Sequence, residues 1–247
     1  MPAGTENRRY KVPRAGAQRR RLWRNLARAA RASWRRDPGK NDNPLELRRG
    51  LPGSAGDIEA RYLEARVGDI TYASIYLPNG NPRPGPRFDY KLAWFNRLVR
   101  YTKKLCNGAQ PVVLAGDFNV VPTDADIYNP WWWREDAVIQ PETRAAYQRL
   151  LAQGWTDTLR NLNPAKRIYT FWTTAQAFAR NAGFRMDFLL VNPVLFPRVA
   201  GAGVDAEHRG RDRPSDHAPV WLELRNAAPR SMRMKTGAAP RRAVPSR

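Results

Sequence analysis

The sequence predicts an α/β protein, and three neighbouring segments support that fold class. Residues 69–77 (DITYASIYL) alternate between polar and apolar side chains as a β-strand does, and residues 88–105 have the spacing of an amphipathic helix. Residues 112–115 (VVLA) form a short apolar run that is typical of a buried strand. A strand, a helix and a strand in succession build a layered α/β domain, and 247 residues suffice for one large domain.

The other elements between residues 46 and 225 follow from the same patterns. A second helix is expected at residues 141–153, and further strands are expected at residues 60–67, 168–172, 184–191 and 220–224. In the first helix, the apolar side chains are expected to face the core, and the basic side chains, Lys91 and Arg97 among them, to face solvent.

The charge distribution divides the chain into three parts. The formal net charge is +21; residues 1–50 hold fifteen Lys and Arg against four acidic residues, and residues 226–247 hold six against none. We expect residues 1–45 to be an atypical basic segment, disordered or loosely helical, and residues 226–247 to be a basic disordered tail. The domain between them spans residues 46–225. A chain this basic attracts polyanions, above all nucleic acid.

The basic first segment has three competing interpretations. Residues 19–36 have the pattern of a basic helix, which would suit an arm that binds nucleic acid or a membrane surface. An Arg-rich targeting segment is a second interpretation, and a stretch with no selected fold is a third.

The lack of long apolar runs and the low cysteine content indicate where the protein is located. The sequence has no run of eighteen apolar residues and does not open with a secretory signal pattern, so we expect neither a membrane partner nor ordinary secretion. Its single cysteine, Cys106, rules out an internal disulfide and fits a reducing compartment. We therefore expect a cytoplasmic protein.

The first candidate site residues follow the 112–115 strand. Gly116 begins a turn that carries Asp117 and Asn119, a carboxylate and an amide at the end of a rigid strand. Such a pair suits a hard cation, a phosphate oxygen or a water molecule to be deprotonated. Ordinary turn chemistry is the alternative interpretation, because Gly-Asp after a strand is common.

A second group of candidates lies near the end of the domain. Asp187 is embedded in the apolar run FRMDFLLV, where a carboxylate is costly unless it is paired, although a solvent-facing position would also explain it. Asp216 and His217 directly precede the last strand. An imidazole beside a carboxylate can be fixed in one tautomer and stabilised when protonated. With Asp117 and Asn119, these residues suit metal-assisted phosphoryl transfer.

Three consecutive tryptophans, Trp131, Trp132 and Trp133, follow the central turn. They cannot all face one core, so we expect at least one to be exposed or to pack beneath a loop. A stacking role toward nucleic-acid bases is an alternative to simple packing.

Five ordered stretches resemble one known family: YLPNG, GDFNVVPTD, WTDTLR, FRMDFLLVNP and SDHAPVW. Residues 46–225 are similar to exodeoxyribonuclease III, in the superfamily of endonucleases, exonucleases and phosphatases. The resemblance implies a four-layer α/β/β/α sandwich of the deoxyribonuclease I type. It implies a DNA repair nuclease, a 3′-to-5′ exonuclease on duplex DNA and an abasic-site endonuclease, that uses Mg²⁺, with Mn²⁺ as the alternative. The implied partner is duplex DNA with abasic sites or 3′ ends.

The resemblance also implies a role for each candidate residue. Asp117 resembles the aspartate that handles the proton of the attacking water, and Asn119 resembles its phosphate-orienting neighbour. Asp187 and His217 resemble the hydrogen-bonded pair at the scissile phosphate. The last two positions, Asp216 and Tyr76, resemble a metal-site residue and the tyrosine near the phosphate.

The sequence departs from the family at its N-terminal end. The family's first strand with a metal-site asparagine, and the metal-binding glutamate that follows it, have no counterpart; the first fifty residues contain only Glu6 and Glu46 as glutamates. We hypothesise that this portion is missing or replaced, for example through out-of-frame reading of a GC-rich gene. The first strands of one sheet would then be absent. We expect a monomer, with association through exposed strand edges as the alternative. A catalytically impaired nucleic-acid-binding remnant and a related phosphodiesterase are the alternative functions.

Overall fold

The computed structural model describes residues 7–11 and 44–226. The nine strands there are β1 (Asn7–Lys11), β2 (Leu45–Arg49), β3 (Tyr62–Val67), β4 (Ile70–Tyr76), β5 (Val112–Asp117), β6 (Thr156–Asp157), β7 (Asp187–Val191), β8 (Val199–Val204) and β9 (Val220–Arg225). The four α-helices there are α1 (Pro86–Cys106), α2 (Pro141–Leu151), α3 (Thr158–Leu162) and α4 (Ala175–Ala179). Short 3₁₀ helices cover Asp124–Asp126, Pro130–Trp133, Phe196–Arg198 and Ala206–Gly210.

The larger sheet has six strands in the order β2-β3-β4-β5-β7-β6. Strands β3 and β4 form an antiparallel hairpin, and helix α1 then carries the chain across to β5, which pairs with β4 in parallel. Strand β7 runs antiparallel to β5. The last residues of β4 and β5 therefore lie beside the first residue of β7, at one edge of the sheet.

The smaller sheet has three strands in the order β1-β9-β8, all antiparallel. It faces the larger sheet through apolar side chains of β9, which pack against β5 and β7; this cluster includes Leu222, Val113 and Leu189. The opposite face of the larger sheet is covered by α1 and α2, through residues such as Phe95 and Tyr147. Two facing sheets with helices on the outer face of one confirm the expected α/β sandwich.

The N-terminal segment is described only in part. Residues Asn7–Lys11 form strand β1 against β9, which differs from the disordered or loosely helical state expected for residues 1–45. The predicted basic helix at residues 19–36 lies outside the described residues, as does the predicted tail beyond residue 226. The domain boundaries stay predictions.

Helix α1 differs from expectation at two basic positions. Lys91 is fully buried and Arg97 is 8% exposed, whereas both were expected to face solvent. Lys91 lies three residues after Phe88 and four before Phe95, so it shares their inward face. Its ammonium group remains hydrogen-bonded there by backbone carbonyl oxygens, which is how a buried cation is tolerated.

The strand expected at residues 168–172 is also absent from the described structure. Phe171 forms isolated bridges to Phe184 on one side and His217 on the other. The segment therefore divides its hydrogen bonds between two neighbours and builds no continuous ladder with either.

In the part of the chain that the structure describes, no helix combines the length and apolar character needed to cross a membrane.

Candidate active site

Three predicted site residues lie side by side in one row of the larger sheet. Tyr76 pairs with Asp117 across β4 and β5, and Asp117 pairs with Asp187 across β5 and β7. Because directly paired residues point to the same face of a sheet, the three side chains share a face. Along β5 that face is the one of Val113 and Ala115, which pack toward the smaller sheet. The row thus opens at one end of the space between the two sheets.

His217 reaches this row from the loop before β9. Its Nδ1 lies 2.8 Å from Oδ2 of Asp187, and both side chains are more than nine-tenths buried. Thr170 fixes the backbone at Asp187. Its hydroxyl oxygen accepts hydrogen bonds from the backbone N–H groups of Met186 and Asp187, at 3.0 and 3.1 Å. Asp187 is therefore a paired buried residue and not a solvent-facing one.

Asp117 is held by its neighbour two residues along. Asn119 donates from its backbone N–H to Oδ1 of Asp117 at 2.8 Å and from its side-chain amide to Oδ2 at 3.1 Å. Asn119 adopts φ +43°, a left-handed conformation that asparagine tolerates better than most residues. The same amide nitrogen also donates to the carbonyl oxygen of Leu77 at 2.7 Å. This geometry fixes the orientation of the Asp117 carboxylate.

Gly116 allows the backbone of β5 to approach β4 closely, directly before Asp117. Its φ is +139°, and a Cβ at this position would collide with the carbonyl oxygen of Ile75 on β4. Glycine is therefore required at this point of the strand.

The protonation behaviour of the site follows from burial and from the nearby charges. Burial raises the pKa of Asp117 to about 7, the positive charge of His217 opposes that shift, and the negative charge of Asp187 adds to it. Burial alone would lower the pKa of His217, but the adjacent Asp187 carboxylate outweighs it and raises the pKa to about 9. A carboxylate that titrates near neutrality beside a protonated imidazole is typical of acid–base sites.

Lys91 and Asn79 also belong to the site, although neither was expected there from the sequence. The buried ammonium group of Lys91 donates to the carbonyl oxygens of Asn79 at 2.8 Å and Asn119 at 2.6 Å. Burial lowers the pKa of Lys91 to about 7, while the negative charge of Asp117 raises it. The amide of Asn79 donates to Oδ1 of Asn119 at 3.3 Å. Helical spacing with Phe88 and Phe95 could have identified Lys91, and the YLPNG stretch contains Asn79.

Asp216 supplies the exposed carboxylate of the site. Among the described residues, its side chain accepts a long hydrogen bond of 3.4 Å from the hydroxyl of the preceding Ser215. Its negative charge, together with that of Asp117, helps to raise the pKa of half-buried Tyr76, for which burial is the larger cause. The exposed carboxylate of Asp216 suits Mg²⁺, which takes one or two protein carboxylates and leaves its other positions to water and phosphate oxygens.

A separate acidic group lies in the turn before this loop. The side chains of Asp205, Glu207 and His208 come within 4.8 Å of one another, close enough for a metal ion. The imidazole Nδ1 of His208 lies 3.3 Å from the Glu207 carboxylate. All three residues lie on the Ala206–Gly210 turn or directly before it, and none belongs to the row of Tyr76, Asp117 and Asp187.

The comparison with known protein families agrees with this geometry. The endonuclease/exonuclease/phosphatase family matches residues 22–217, a span that contains all six of the predicted site residues. It begins before the expected boundary at residue 46, and so includes part of the atypical N-terminal segment.

Individual relatives are similar over about three quarters of the chain. Exodeoxyribonuclease III of Haemophilus influenzae is 32% identical over 195 residues, which cover 74% of this chain and 73% of that protein. Among solved structures, an AP endonuclease from Archaeoglobus fulgidus is 31% identical with a TM-score of 0.69, covering 73% of this chain and 71% of its own. A 3′ phosphatase from Neisseria bound to a product DNA hairpin is 35% identical with a TM-score of 0.70. The match covers 74% of this chain and 72% of that one.

Proposed function

This chain belongs to the endonuclease/exonuclease/phosphatase family, and from that premise we propose that it is a metal-dependent DNA repair nuclease. Its substrate is duplex DNA, which it hydrolyses as a 3′-to-5′ exonuclease from 3′ ends and as an endonuclease at abasic sites. The names of its relatives support this assignment, because they include an exodeoxyribonuclease, an AP endonuclease and a 3′ phosphatase bound to DNA. The net charge of +21 favours a polyanionic substrate over a small molecule.

One observation carries the proposal: the buried Asp187–His217 pair stands in the same row as an Asp117 that titrates near neutrality. Hydrolysis of a phosphodiester needs a base for the attacking water and a positive group for the phosphate oxygens. Asp117 and the protonated His217 supply these two groups at one edge of the sheet.

Each side chain then has a defined task. Asp117 accepts the proton of the attacking water, and Asn119 holds its carboxylate in place. The Nδ1–H of His217 donates to the carboxylate of Asp187, and its Nε2–H is left to donate to a non-bridging oxygen of the scissile phosphate. The Tyr76 hydroxyl, whose pKa is raised, stays protonated at neutral pH and donates to the same phosphate.

The metal of the family is assigned here to Mg²⁺, with Mn²⁺ as the alternative. The exposed carboxylate of Asp216 is the oxygen ligand that would hold such a hard cation. When bound, the cation neutralises part of the negative charge that develops on the phosphate. The chain is assigned as a cytoplasmic monomer, and its single cysteine supports a reducing compartment.

A catalytically impaired DNA-binding protein is the second candidate. Two glutamates that lie early in the described chain are engaged elsewhere: Glu46 pairs with Arg49 at 2.7 Å, and Glu64 accepts hydrogen bonds from Tyr62 and Tyr101. Neither supplies the metal-binding glutamate that the family's N-terminal portion carries. This observation favours weak metal binding and a low rate.

The deciding experiment is cleavage of duplex DNA that carries a single abasic site, with and without Mg²⁺. We expect magnesium-dependent incision by the full chain, and none by the Asp117→Asn variant purified in the same way, which excludes a contaminating nuclease. A folded preparation that binds the DNA without cleaving it would support the impaired alternative. A preparation that neither binds nor cleaves DNA would overturn both.

A further inference from the structure

An exposed aromatic surface lies beside the site and takes no part in the mechanism above. It consists of Tyr128, Trp131 and Trp132, which are 46%, 68% and 66% exposed; we call it the aromatic platform. The rings of Tyr128 and Trp132 lie 6.4 Å apart, and the Arg134 guanidinium covers the Trp131 ring at 4.2 Å. Two tryptophans this exposed within one turn are unusual for a folded domain and mark a binding surface.

The platform is held in place by the structure beneath it. Trp131 and Trp132 lie on the 3₁₀ helix Pro130–Trp133, whose first turn is capped by the Asn129 side chain, which accepts a hydrogen bond from the backbone N–H of Trp131 at 3.0 Å. The backbone N–H of Tyr128 donates to the carbonyl oxygen of Gly183 at 3.0 Å. Because the backbone is fixed, a ligand would meet rings that need little further ordering.

Aromatic contacts link the platform to the catalytic histidine. Trp133 packs beneath it against Phe184, with ring centroids 4.7 Å apart. Phe184 contacts Phe171 at 5.6 Å, and Phe171 contacts the His217 ring at 4.8 Å. This chain of ring contacts leads from His217 to Trp133, which directly follows Trp132 of the platform in the sequence.

We propose that the aromatic platform stacks on unpaired bases of the DNA next to the scissile phosphate. This proposal rests on the proposed function and narrows its substrate to DNA with unpaired bases, such as a single-stranded extension or a frayed end. Inside a duplex the faces of the bases are covered by their neighbours, so exposed rings can stack only on bases that have left the helix. Stacking of this kind accepts any base and is strengthened by an arginine such as Arg134.

The test compares binding to two labelled duplexes in EDTA, which prevents cleavage: one blunt, and one with a short single-stranded extension. The Trp131→Ala/Trp132→Ala variant should bind the extended duplex about 10- to 100-fold more weakly and the blunt duplex within about twofold of wild type. The Trp131→Phe/Trp132→Phe variant keeps two aromatic rings and should retain most of the affinity. A 2-aminopurine base in the extension should be quenched by wild type and not by the alanine variant.

Phe196→Ala is the matched control. Phe196 is an aromatic residue that is 38% exposed, and it follows the end of β7 opposite to Asp187. This variant should bind both duplexes as wild type does.

Three results would overturn the proposal. If the alanine variant lost the same affinity for both duplexes, the platform would contact DNA without regard to unpaired bases. If it lost affinity for neither duplex, the platform would contact no DNA. A change in sedimentation without a change in DNA binding would assign the platform to contacts between copies of this chain. Abasic-site cleavage by wild type is measured in parallel, so that failure of the nuclease assignment is told apart from failure of the platform.

Discussion

Two clusters of buried carboxylates in this molecule differ in the cation that each contains. The first, which we call the catalytic cluster after its proposed role, consists of Asp117, Asp187 and His217. The second, which we call the structural cluster, consists of Asp126, Asp157 and Arg185. Both place two aspartates and one cation in the interior, and both depend on β7, since Asp187 begins that strand and Arg185 lies two residues before it.

The structural cluster is fully compensated. Arg185 donates from Nε to Asp126 at 2.7 Å and from a terminal nitrogen to Asp157 at 2.5 Å, and Arg160 adds a second cation to Asp126 at 2.7 Å. Burial alone would raise the pKa of Asp126, but the hydrogen bonds from Arg185 outweigh it and hold the pKa below its usual value. Tyr147 donates a further hydrogen bond to Asp157 at 3.0 Å.

The comparison shows that buried aspartates can serve either stability or catalysis, depending on the cation beside them. An arginine is charged at every accessible pH, so Arg185 keeps the pKa of Asp126 low and the cluster contributes to the stability of the fold. A histidine titrates, and in the described structure Asp117 receives hydrogen bonds from the backbone N–H and the side-chain amide of Asn119, which are neutral donors, so its ionised form is not fully compensated. We therefore expect the catalytic cluster to change its protonation near neutral pH, whereas the structural cluster serves stability.

The largest expected effect comes from Asp117→Asn. Removal of the base should lower kcat on abasic-site DNA by about 10³-fold or more. Because burial raises the pKa of Asp117, its ionised form destabilises the native state, and the variant should unfold at the same or higher urea concentration at pH 8. Steady-state kinetics and urea unfolding measure the two effects. A marked loss of stability would show that Asp117 acts as Asp126 does, and would remove the distinction between the clusters.

Arg185→Met should have the next largest effect, this time on stability. It leaves two buried carboxylates without their cation, and we expect the free energy of unfolding to fall by about 3–5 kcal/mol. Urea denaturation followed by circular dichroism measures this loss. The control is Arg149→Met, which removes an exposed hydrogen bond to Asn96 and should cost less than about 1 kcal/mol. Similar losses in the two variants would contradict a structural role for the buried cluster.

Asp187→Asn tests the pair within the catalytic cluster. The neutral amide no longer offsets the burial of the imidazole, so the pKa of His217 should fall below about 9 and kcat should drop about a hundredfold. NMR titration of the imidazole measures the pKa. The chain has only two histidines, so a His208→Gln variant assigns the signals. An unchanged pKa would mean that Asp187 does not stabilise the imidazolium.

The pH dependence should show the smallest effect. Activity should rise roughly tenfold from about pH 6 to about pH 8 as Asp117, with a pKa of about 7, ionises, and should fall above about pH 9 as His217 loses its proton. The Asp117 carboxyl binds its proton more tightly in the folded state, so its contribution to stability declines as the pH rises from about 4 to about 7.

Asp126 has the opposite linkage. Its pKa is lowered on folding, so the stability that it contributes is present above the unfolded value of 3.8 and is lost as the pH falls through the folded value. Urea unfolding should therefore show opposite slopes in two pH ranges. Relative to wild type, Asp117→Asn should change the slope between about pH 4 and about pH 7, and Asp126→Asn should change it in the opposite sense below about pH 4. Slopes of the same sign would contradict the assigned pKa directions.

Much of the fold was predictable because it follows from local patterns. The strands at β3, β4, β5 and β9 and the helices α1 and α2 all lie within a few residues of their expected positions, since alternation and helical spacing are properties of neighbouring residues. The strand predicted at residues 168–172 was wrong. Its apolar residues resemble a strand, but its bridges to Phe184 and His217 depend on two elements that are distant in sequence.

The sequence by itself determined which residues stand at the strand ends, because Gly116, Asp117 and Asn119 follow one another along the chain. Only the tertiary structure decided how they act. Asp187 and His217 are 30 residues apart in sequence and meet at 2.8 Å, and Lys91, which pattern analysis placed in solvent, lies beneath the carbonyl oxygen of Asn119. Burial and pairing set the pKa values of these groups, and both are sums over contacts between distant segments that no local pattern contains.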